Sequence, residues 1–213
     1  MTMLTDIHTH NIPFTQGAAL YNLPLLIDDI PVDQPCSAGL HPWQIDSEWE
    51  KSLAWVVSVA GRESVLAVGE AGLDRLRGPS LELQETVFKA QVSLGEMLRK
   101  PLIVHNVRCG GQLLRLHRDL SPSMPWVVHG FRGNSLQAAS FADQGIWMSF
   151  GLRFDPQALR TVGLNKLLIE TDEYPDLTDV VNNISAVLNV PATEVLTVAS
   201  NNAARFLGID FEP

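Results

Sequence analysis

Eight short apolar runs, separated by segments of helical periodicity, limit the class of fold open to this chain. The runs show little alternation between apolar and polar residues, which is typical of parallel strands that are buried on both faces. Alternation of such strands with helices predicts an α/β fold. The predicted strands cover residues 4–10, 18–22, 36–40, 65–70, 102–105, 126–129, 146–150 and 167–170.

Helical patterns follow most of these runs, with apolar residues at steps of three and four. Between residues 10 and 36, four prolines interrupt the chain, so no uninterrupted amphipathic helix fits there. We therefore expect the first one or two strand–helix units to lack their helices. The pattern alone leaves both a doubly wound sheet and a closed (β/α)8 barrel open. The predicted helices cover residues 47–60, 80–99, 111–119, 135–144, 156–162, 177–188 and 193–207.

The length of 213 residues predicts a single domain that spans residues 1–213. The formal net charge of −9 argues against a broad basic surface for nucleic acid. No apolar run reaches the roughly 18 residues that a transmembrane helix requires, so no membrane partner is expected. Asp6, His8 and His10 interrupt the apolar stretch that a secretory signal peptide would need at the start of the chain. The two cysteines, Cys36 and Cys109, are far apart in the sequence. We therefore expect a cytoplasmic protein with reduced thiols.

Polar side chains that can bind metals stand at the ends of the apolar runs. His8 and His10 are two residues apart, so in a strand they point to the same face and can ligate one metal ion. Such a pair alone is equally compatible with the polar start of a loop. However, a polar residue that ends a buried strand is costly unless it is hydrogen-bonded or metal-bound, and four further runs end this way. Their polar residues are Glu70, His105, His129 and Asp172.

These six side chains predict a metal site at the carboxyl ends of the strands, which is the face that carries the active site in α/β barrels. Imidazole and carboxylate ligands suit divalent cations such as Zn, Mn or Mg. Two such cations about 3.5–4 Å apart can polarise a phosphoryl or acyl oxygen and activate water near neutral pH. A single metal ion held by three or four of these ligands is the simpler alternative.

Further candidates lie in the loops that follow predicted strands. His41, in the segment GLHPW, could position a phosphate or protonate a leaving group, or it could simply bond to the backbone before a proline. Arg75, Arg108 and Arg132 are candidates for binding an anionic substrate. His117 falls inside a predicted helix and is interpreted as structural.

The order of the motifs resembles the TatD family of metal-dependent hydrolases. The resemblance runs from residue 4 to about residue 208, and HxH followed by the later motifs is far more specific than HxH alone. It implies a TIM-like (β/α) barrel that hydrolyses phosphodiesters with metal-activated water, typically as a deoxyribonuclease. The segments that carry it are DIHTH, GLHPW, VGEAGLD, QETVFKAQ, PLIVH, HGFRGN, LLIETD and NNAARFLG.

The same resemblance implies a site for two or three metal ions, and we expect two divalent cations, namely Zn, Mg or Mn. It implies that Glu70 bridges both ions and that His41 is the catalytic or phosphate-binding histidine. In the mechanism that we expect, Asp172 is also catalytic, because it orients the attacking water or accepts its proton. The expected substrate is a phosphodiester or nucleic acid, taken as short or single-stranded ends. The implied ligands are His8, His10, Glu70 and Asp172 for the first ion, and Glu70, His105 and His129 for the second.

Three departures from the family pattern concern the substrate more than the metal. The family commonly reads HPH where residues 41–43 are HPW, and the arginine expected two residues after His105 stands three residues after it, as Arg108. The ETD segment continues with EYP instead of alanine and proline. Hydrolysis of a D-aminoacyl-tRNA ester, or of another ester or amide, on the same metal site is therefore the alternative. A non-catalytic, metal-binding barrel is a third hypothesis.

Overall fold

The strands of the protein close into a barrel. The structure, a computed structural model, describes residues 3–13, 15 and 18–209. Its eight parallel strands follow one another around a closed barrel in chain order. This confirms the TIM-like α/β barrel and excludes an open, doubly wound sheet. The strands are β1 (Asp6–Thr9), β2 (Ala19–Asn22), β3 (Cys36–Ala38), β4 (Val65–Asp74), β5 (Leu102–Val107), β6 (Trp126–Val128), β7 (Trp147–Phe150) and β8 (Leu167–Ile169).

The helices match the predicted segments to within two residues at each end. Among the described residues, no helix lies between β1 and β3, so the first two strand–helix repeats of the barrel lack their helices, as expected. Within the part of the chain that the structure describes, no helix is long and apolar enough to cross a membrane. The helices are α1 (Trp49–Ala60), α2 (Leu81–Leu98), α3 (Gly110–Leu120), α4 (Ser135–Asp143), α5 (Pro156–Val162), α6 (Thr178–Leu188) and α7 (Ala192–Leu207).

Side-chain caps explain where several helices begin. The hydroxyl of Ser80 accepts the backbone N–H of Leu83 at the start of α2. Asn134 opens α4 with a reciprocal capping box. Asp155 caps α5, whose first residue is a proline that needs no hydrogen-bond acceptor for a backbone N–H. At the other end of the chain, Gly208 adopts a φ of 65° and stops α7.

The chain divides into two compact units whose boundaries fall inside β2 and β6. The first unit contains the described residues up to Tyr21 together with those from Val127 onward. In it, β1 pairs in parallel with β8, and β7 pairs with both β6 and β8. Helices α4 to α7 belong to this unit. The single domain expected from chain length stays a prediction.

The second unit, residues 22–126, contains β3, β4 and β5 paired in parallel, with α1, α2 and α3. The prediction that the fourth strand ends at Glu70 was wrong, because β4 continues to Asp74 and pairs there with Val107 of β5. Two glycines, Gly69 and Gly72, permit this close pairing. A Cβ at Gly69 would overlap the carbonyl oxygen of Ile103 in β5, and a Cβ at Gly72, where φ is 155°, would overlap that of His105. Glu70 and Asp74 therefore both belong to one strand.

Candidate metal centre

The first unit gathers five candidate ligands, which we term the first cluster: His8, His10, His129, Glu170 and Asp172. Backbone pairing between β1 and the segment after β8 sets their register. The backbone N–H of His10 donates to the carbonyl of Asp172 over 2.8 Å, and the N–H of Asp172 donates to the carbonyl of His8 over 3.0 Å. The carboxylate after β8 therefore stands beside both imidazoles of the HxH pair.

The side chains of the first cluster are spaced as ligands of a cation would be. Asp172 Oδ1 lies 3.8 Å from His8 Nε2 and 3.7 Å from His10 Nε2. Ligand atoms around a cation with bonds of about 2.0–2.1 Å lie roughly 3–4 Å apart. The His129 ring lies 4.4 Å from the His8 ring, measured between centroids. His8 is fully buried, whereas the His10 side chain is 41% exposed, so the cluster opens to solvent on one side.

A buried aspartate at the start of β1 supports this cluster. One carboxylate oxygen of Asp6 accepts the backbone N–H groups of His8 and Thr171, at 3.2 and 3.1 Å. The Thr171 hydroxyl donates to the other oxygen over 2.7 Å. Burial raises the pKa of Asp6 to about 7, although these hydrogen bonds oppose the shift. Asp6 thus ties the HxH strand to the segment that carries Asp172.

The Glu170 carboxylate contacts the Nδ1 atom of His129. Its Oε1 atom lies 3.4 Å from His129 Nδ1, and the hydroxyl of Ser149 donates to Oε2. Burial alone would raise the pKa of Glu170, but the charges of His129 and His8 and the hydrogen bonds from His129 and Ser149 outweigh it and lower that pKa. The carboxylate is therefore ionised and positions the ring.

The second unit holds a second cluster, formed by His41, Glu70, Asp74 and His105. Glu70 Oε1 lies 2.6 Å from His105 Nδ1 and 3.1 Å from His41 Nε2. The two ring nitrogens are 3.2 Å apart. Asp74 Oδ2 lies 3.2 Å from His105 Nε2, on the far side of that ring. Three potential ligand atoms, from Glu70, His105 and His41, therefore converge. The Asp74 carboxylate contacts the opposite nitrogen of the His105 ring.

Amide side chains of the second unit, two of them buried, fix the backbone beside this cluster. Gln91 of α2 accepts the N–H of Leu40 over 2.7 Å and donates to its carbonyl over 3.0 Å, just before His41. Asn22 accepts the backbone N–H of Glu70 over 3.0 Å. Gln84 accepts the N–H of Asp74 over 2.7 Å.

The segment HPW determines which nitrogen His41 presents to Glu70. The backbone N–H of Trp43 donates to His41 Nδ1 over 3.1 Å. A ring nitrogen that accepts a hydrogen bond carries no proton, so the neutral imidazole has its proton on Nε2. That Nε2–H points at Glu70, which makes His41 a hydrogen-bond donor in this arrangement.

The three arginines expected to bind substrate are all exposed. Arg75 Nε donates to the carbonyl of Arg108 over 3.1 Å in the second unit, and the Arg75 guanidinium also contacts Gln112. Arg132 follows β6 in the first unit. Sequence reasoning missed Arg77, whose guanidinium lies 4.5 Å from the centre of the Trp43 ring.

One histidine, His117, is structural, and two carboxylates, Asp74 and Glu170, lie in the clusters although they were not predicted to. His117 lies on α3 and packs edge-on against Trp126, with ring centroids 4.9 Å apart, as a structural residue would. Asp74 and Glu170 were not selected as site residues, although they lie in the motifs GEAGLD and IETD. Their position in the same motif as a predicted metal ligand is the sequence signal that could have identified them.

The donor sets fit divalent cations. Ligand atoms of His8, His10 and Asp172 all lie within 4.8 Å of one another, as do those of His129, Glu170 and Asp172. The same holds for His41, Glu70 and His105 in the second unit. Mixed imidazole and carboxylate donors are typical of sites for zinc and manganese.

Comparison with known proteins places this arrangement among related sequences and structures. A family model described as TatD related DNase matches residues 25–208. YabD of Bacillus subtilis, described as an uncharacterized metal-dependent hydrolase, is 25% identical over 196 residues, which cover 81% of this chain and 76% of that protein. The 3'-5' ssDNA/RNA exonuclease TatD of Salmonella typhimurium is 30% identical over 148 residues, which cover 64% of this chain and 56% of that protein.

The fold is also similar to that of a solved structure. The crystal structure of YjjV, a TatD homologue from Escherichia coli K12, matches with a TM-score of 0.81 over 98% of both chains. The sequence identity in this comparison is 22%, so the likeness concerns the fold.

Proposed function

This chain belongs to the TatD-related DNase family of metal-dependent hydrolases, and from that premise we propose that it is a phosphodiesterase that cleaves DNA at short or single-stranded ends. The observation that carries the proposal is the convergence of imidazole and carboxylate donors in both clusters. The exonuclease name of the Salmonella relative supports a nucleic-acid substrate. The net charge of −9 argues against binding of long duplexes along a basic surface. It favours substrates that are bound mainly at the metal site.

We propose two divalent cations, Zn, Mg or Mn, held by six residues. When bound, such cations neutralise charge on phosphoryl oxygens and activate water. The proposed bridging role of Glu70 stays a prediction. The proposed ligands are His8, His10, His129 and Asp172 in the first unit, and Glu70 and His105 in the second.

The protein's own side chains supply proton transfer. The Nε2–H of His41, fixed by the Trp43 backbone contact, can donate to a phosphate oxygen or to the leaving oxygen of the substrate. Asp172 presents a carboxylate oxygen that can orient the attacking water and accept its proton. Arg75, Arg108 and Arg132 are proposed to attract the anionic substrate to this end of the strands.

Metal analysis followed by parallel hydrolysis assays tests the proposal. The purified protein is assayed on bis-p-nitrophenyl phosphate and on single-stranded DNA, with and without a chelator. We expect bound divalent metal, hydrolysis of both substrates and loss of both activities with chelator. His10→Ala should lower the rate by about 100-fold or more, because a ligand is lost. His117→Gln is the matched control, since His117 lies on α3, and it should retain activity.

The same assays separate the competing hypotheses. Hydrolysis of a D-aminoacyl ester without cleavage of either phosphodiester would replace the nuclease by an ester hydrolase. Tight metal binding with no turnover of any of these substrates would support the non-catalytic barrel. A protein that binds no divalent metal would contradict the proposal as a whole. Cytoplasmic localisation stays a prediction, which cell fractionation would test.

A further inference from the structure

Trp43, two residues after His41, makes a specific contact in the second cluster. Its indole Nε1–H donates to Asp74 Oδ2 over 2.6 Å. The same oxygen lies 3.2 Å from His105 Nε2. Trp43 is 48% exposed, whereas Asp74 and His105 are buried. The ring therefore lies on the solvent side of the hydrogen bond between the carboxylate and the imidazole.

Three N–H groups around the Asp74 carboxylate require it to accept. Oδ1 accepts the backbone N–H groups of Leu76 and Arg77, at 2.7 and 3.1 Å. Oδ2 accepts the indole N–H of Trp43, a group that can only donate. Asp74 is therefore an ionised acceptor, and the nitrogen of His105 that faces it must carry a proton.

With Nε2 turned towards Asp74, Nδ1 is the ring nitrogen of His105 that faces Glu70 and His41. With the proton on Nε2, a neutral His105 has its lone pair on Nδ1. That atom lies 2.6 Å from Glu70 Oε1, a hydrogen-bonding distance, so a cation would take the place of the proton that these two atoms otherwise share. Carboxylates that hold the outer nitrogen of a metal-binding histidine fix its tautomer and ring orientation.

We propose that Trp43 is a positioning residue: through Asp74 it holds His105 in the tautomer whose Nδ1 atom binds the divalent cation. The inference rests on the metal site of the proposed function but not on the substrate. Arg77 holds the indole in place, with its guanidinium 4.5 Å from the ring centre, and the His41 ring packs edge-on against it at 4.7 Å. The exposed tryptophan thus serves to orient a buried ligand.

Metal titration and nitrogen NMR of the zinc-loaded protein test this role. Long-range 1H–15N correlation spectra identify which His105 nitrogen is protonated, and we expect Nε2 to be protonated and Nδ1 to be bound to zinc. Trp43→Phe keeps an aromatic cover but lacks the N–H, so we expect zinc to bind about tenfold more weakly, at the lower end of such effects. Trp43→His should restore affinity, because imidazole can donate to Asp74.

A second variant tests the role of Asp74, and a third controls for the loss of a tryptophan. Asp74→Asn should weaken zinc binding by about 100-fold and allow both tautomers of His105, because the amide no longer requires a donor at Nε2. Trp55→Phe, on α1, is the matched control and should bind zinc as the wild type does.

The outcomes distinguish this inference from the proposed function. Zinc bound at His105 Nε2 in the wild-type protein would overturn the inference without any variant. Wild-type affinity and an unchanged spectrum in Trp43→Phe would also overturn it, even if the protein cleaves DNA. The expected spectrum and affinities in a protein that cleaves no phosphodiester would support the inference and contradict the nuclease. A wild-type protein that binds no zinc, manganese or magnesium would overturn both.

Discussion

Glu170 Oε1 lies 3.4 Å from His129 Nδ1 in the first unit, and Ser149 donates a hydrogen bond to the second oxygen of the same carboxylate. Glu170 is fully buried. An ionised buried carboxylate is tolerated only where donors compensate its lost hydration, and these two side chains supply them. The contact directs Nδ1 of His129 to Glu170 and so fixes the orientation of the ring.

Glu170→Gln should weaken metal binding at the first cluster by about 10- to 100-fold, because an amide holds the imidazole less firmly than a carboxylate does. Competition with a chromophoric chelator measures the change. Glu173→Gln, an exposed position three residues along the chain, is the control and should retain wild-type affinity. Equal affinities for the two variants would show that Glu170 does not position His129.

Removal of metal should destabilise the protein, because a ligand that binds only the folded state adds to its stability. At a free metal concentration about 100 times Kd, the gain in unfolding free energy is about 2.7 kcal/mol. For a chain of this size that corresponds to a rise in Tm of roughly 5–10 °C. Thermal melts with Mn²⁺ and with excess chelator measure it. A double variant, His8→Ala with His105→Ala, should show little or no such rise.

Gln91→Leu should lower the free energy of unfolding by about 2–4 kcal/mol, since it leaves the buried N–H and carbonyl of Leu40 without their Gln91 partners. Urea denaturation at neutral pH measures the loss. Because Leu40 precedes His41, the variant should also lose hydrolytic activity at temperatures where it is still folded. Gln157→Leu, at an exposed site on α5, should change stability by less than about 0.5 kcal/mol. A similar stability for both variants would contradict the prediction.

Glu96 should contribute stability that disappears in acid. Burial opposes its ionisation, but hydrogen bonds from the Ser123 hydroxyl and from the N–H groups of Met124 and Ser123 outweigh burial and lower the pKa of Glu96 below 4.5. A pKa that is lower in the folded state stabilises the protein above the unfolded pKa, and the effect is lost as pH falls through the folded pKa.

Glu96→Gln should therefore cost about 1 kcal/mol near pH 7, allowing for solvent screening of this partly exposed group. The difference from the wild type should shrink below about pH 4. Urea denaturation at pH 7 and at the lowest pH where the wild type is still folded makes the comparison. Glu63→Gln, an exposed position in the loop before β4, serves as the reference. A cost that is the same at both pH values would refute the charge-assisted role.

Local sequence signals located the secondary structure elements well but misplaced some of their ends. The helix predicted at residues 156–162 has the observed bounds, because an aspartate cap and a proline at the first position mark its start in the sequence itself. The end of β4 was misplaced because pairing with β5 carries it past Glu70 to Asp74. Strand ends depend on a partner strand, and no local pattern reports that partner.

The sequence by itself determined the α/β alternation, the missing early helices and the polar residues that end the buried runs, since periodicity, prolines and caps act over a few residues. The strand–helix pattern alone left barrel closure open, and the tertiary structure decided it, together with which nitrogen each histidine presents. Trp43 and Asp74 are 31 residues apart, and His129 and Glu170 are 41 apart. Such contacts form only when distant strands pack side by side, so the tautomers they impose are set by the folded chain.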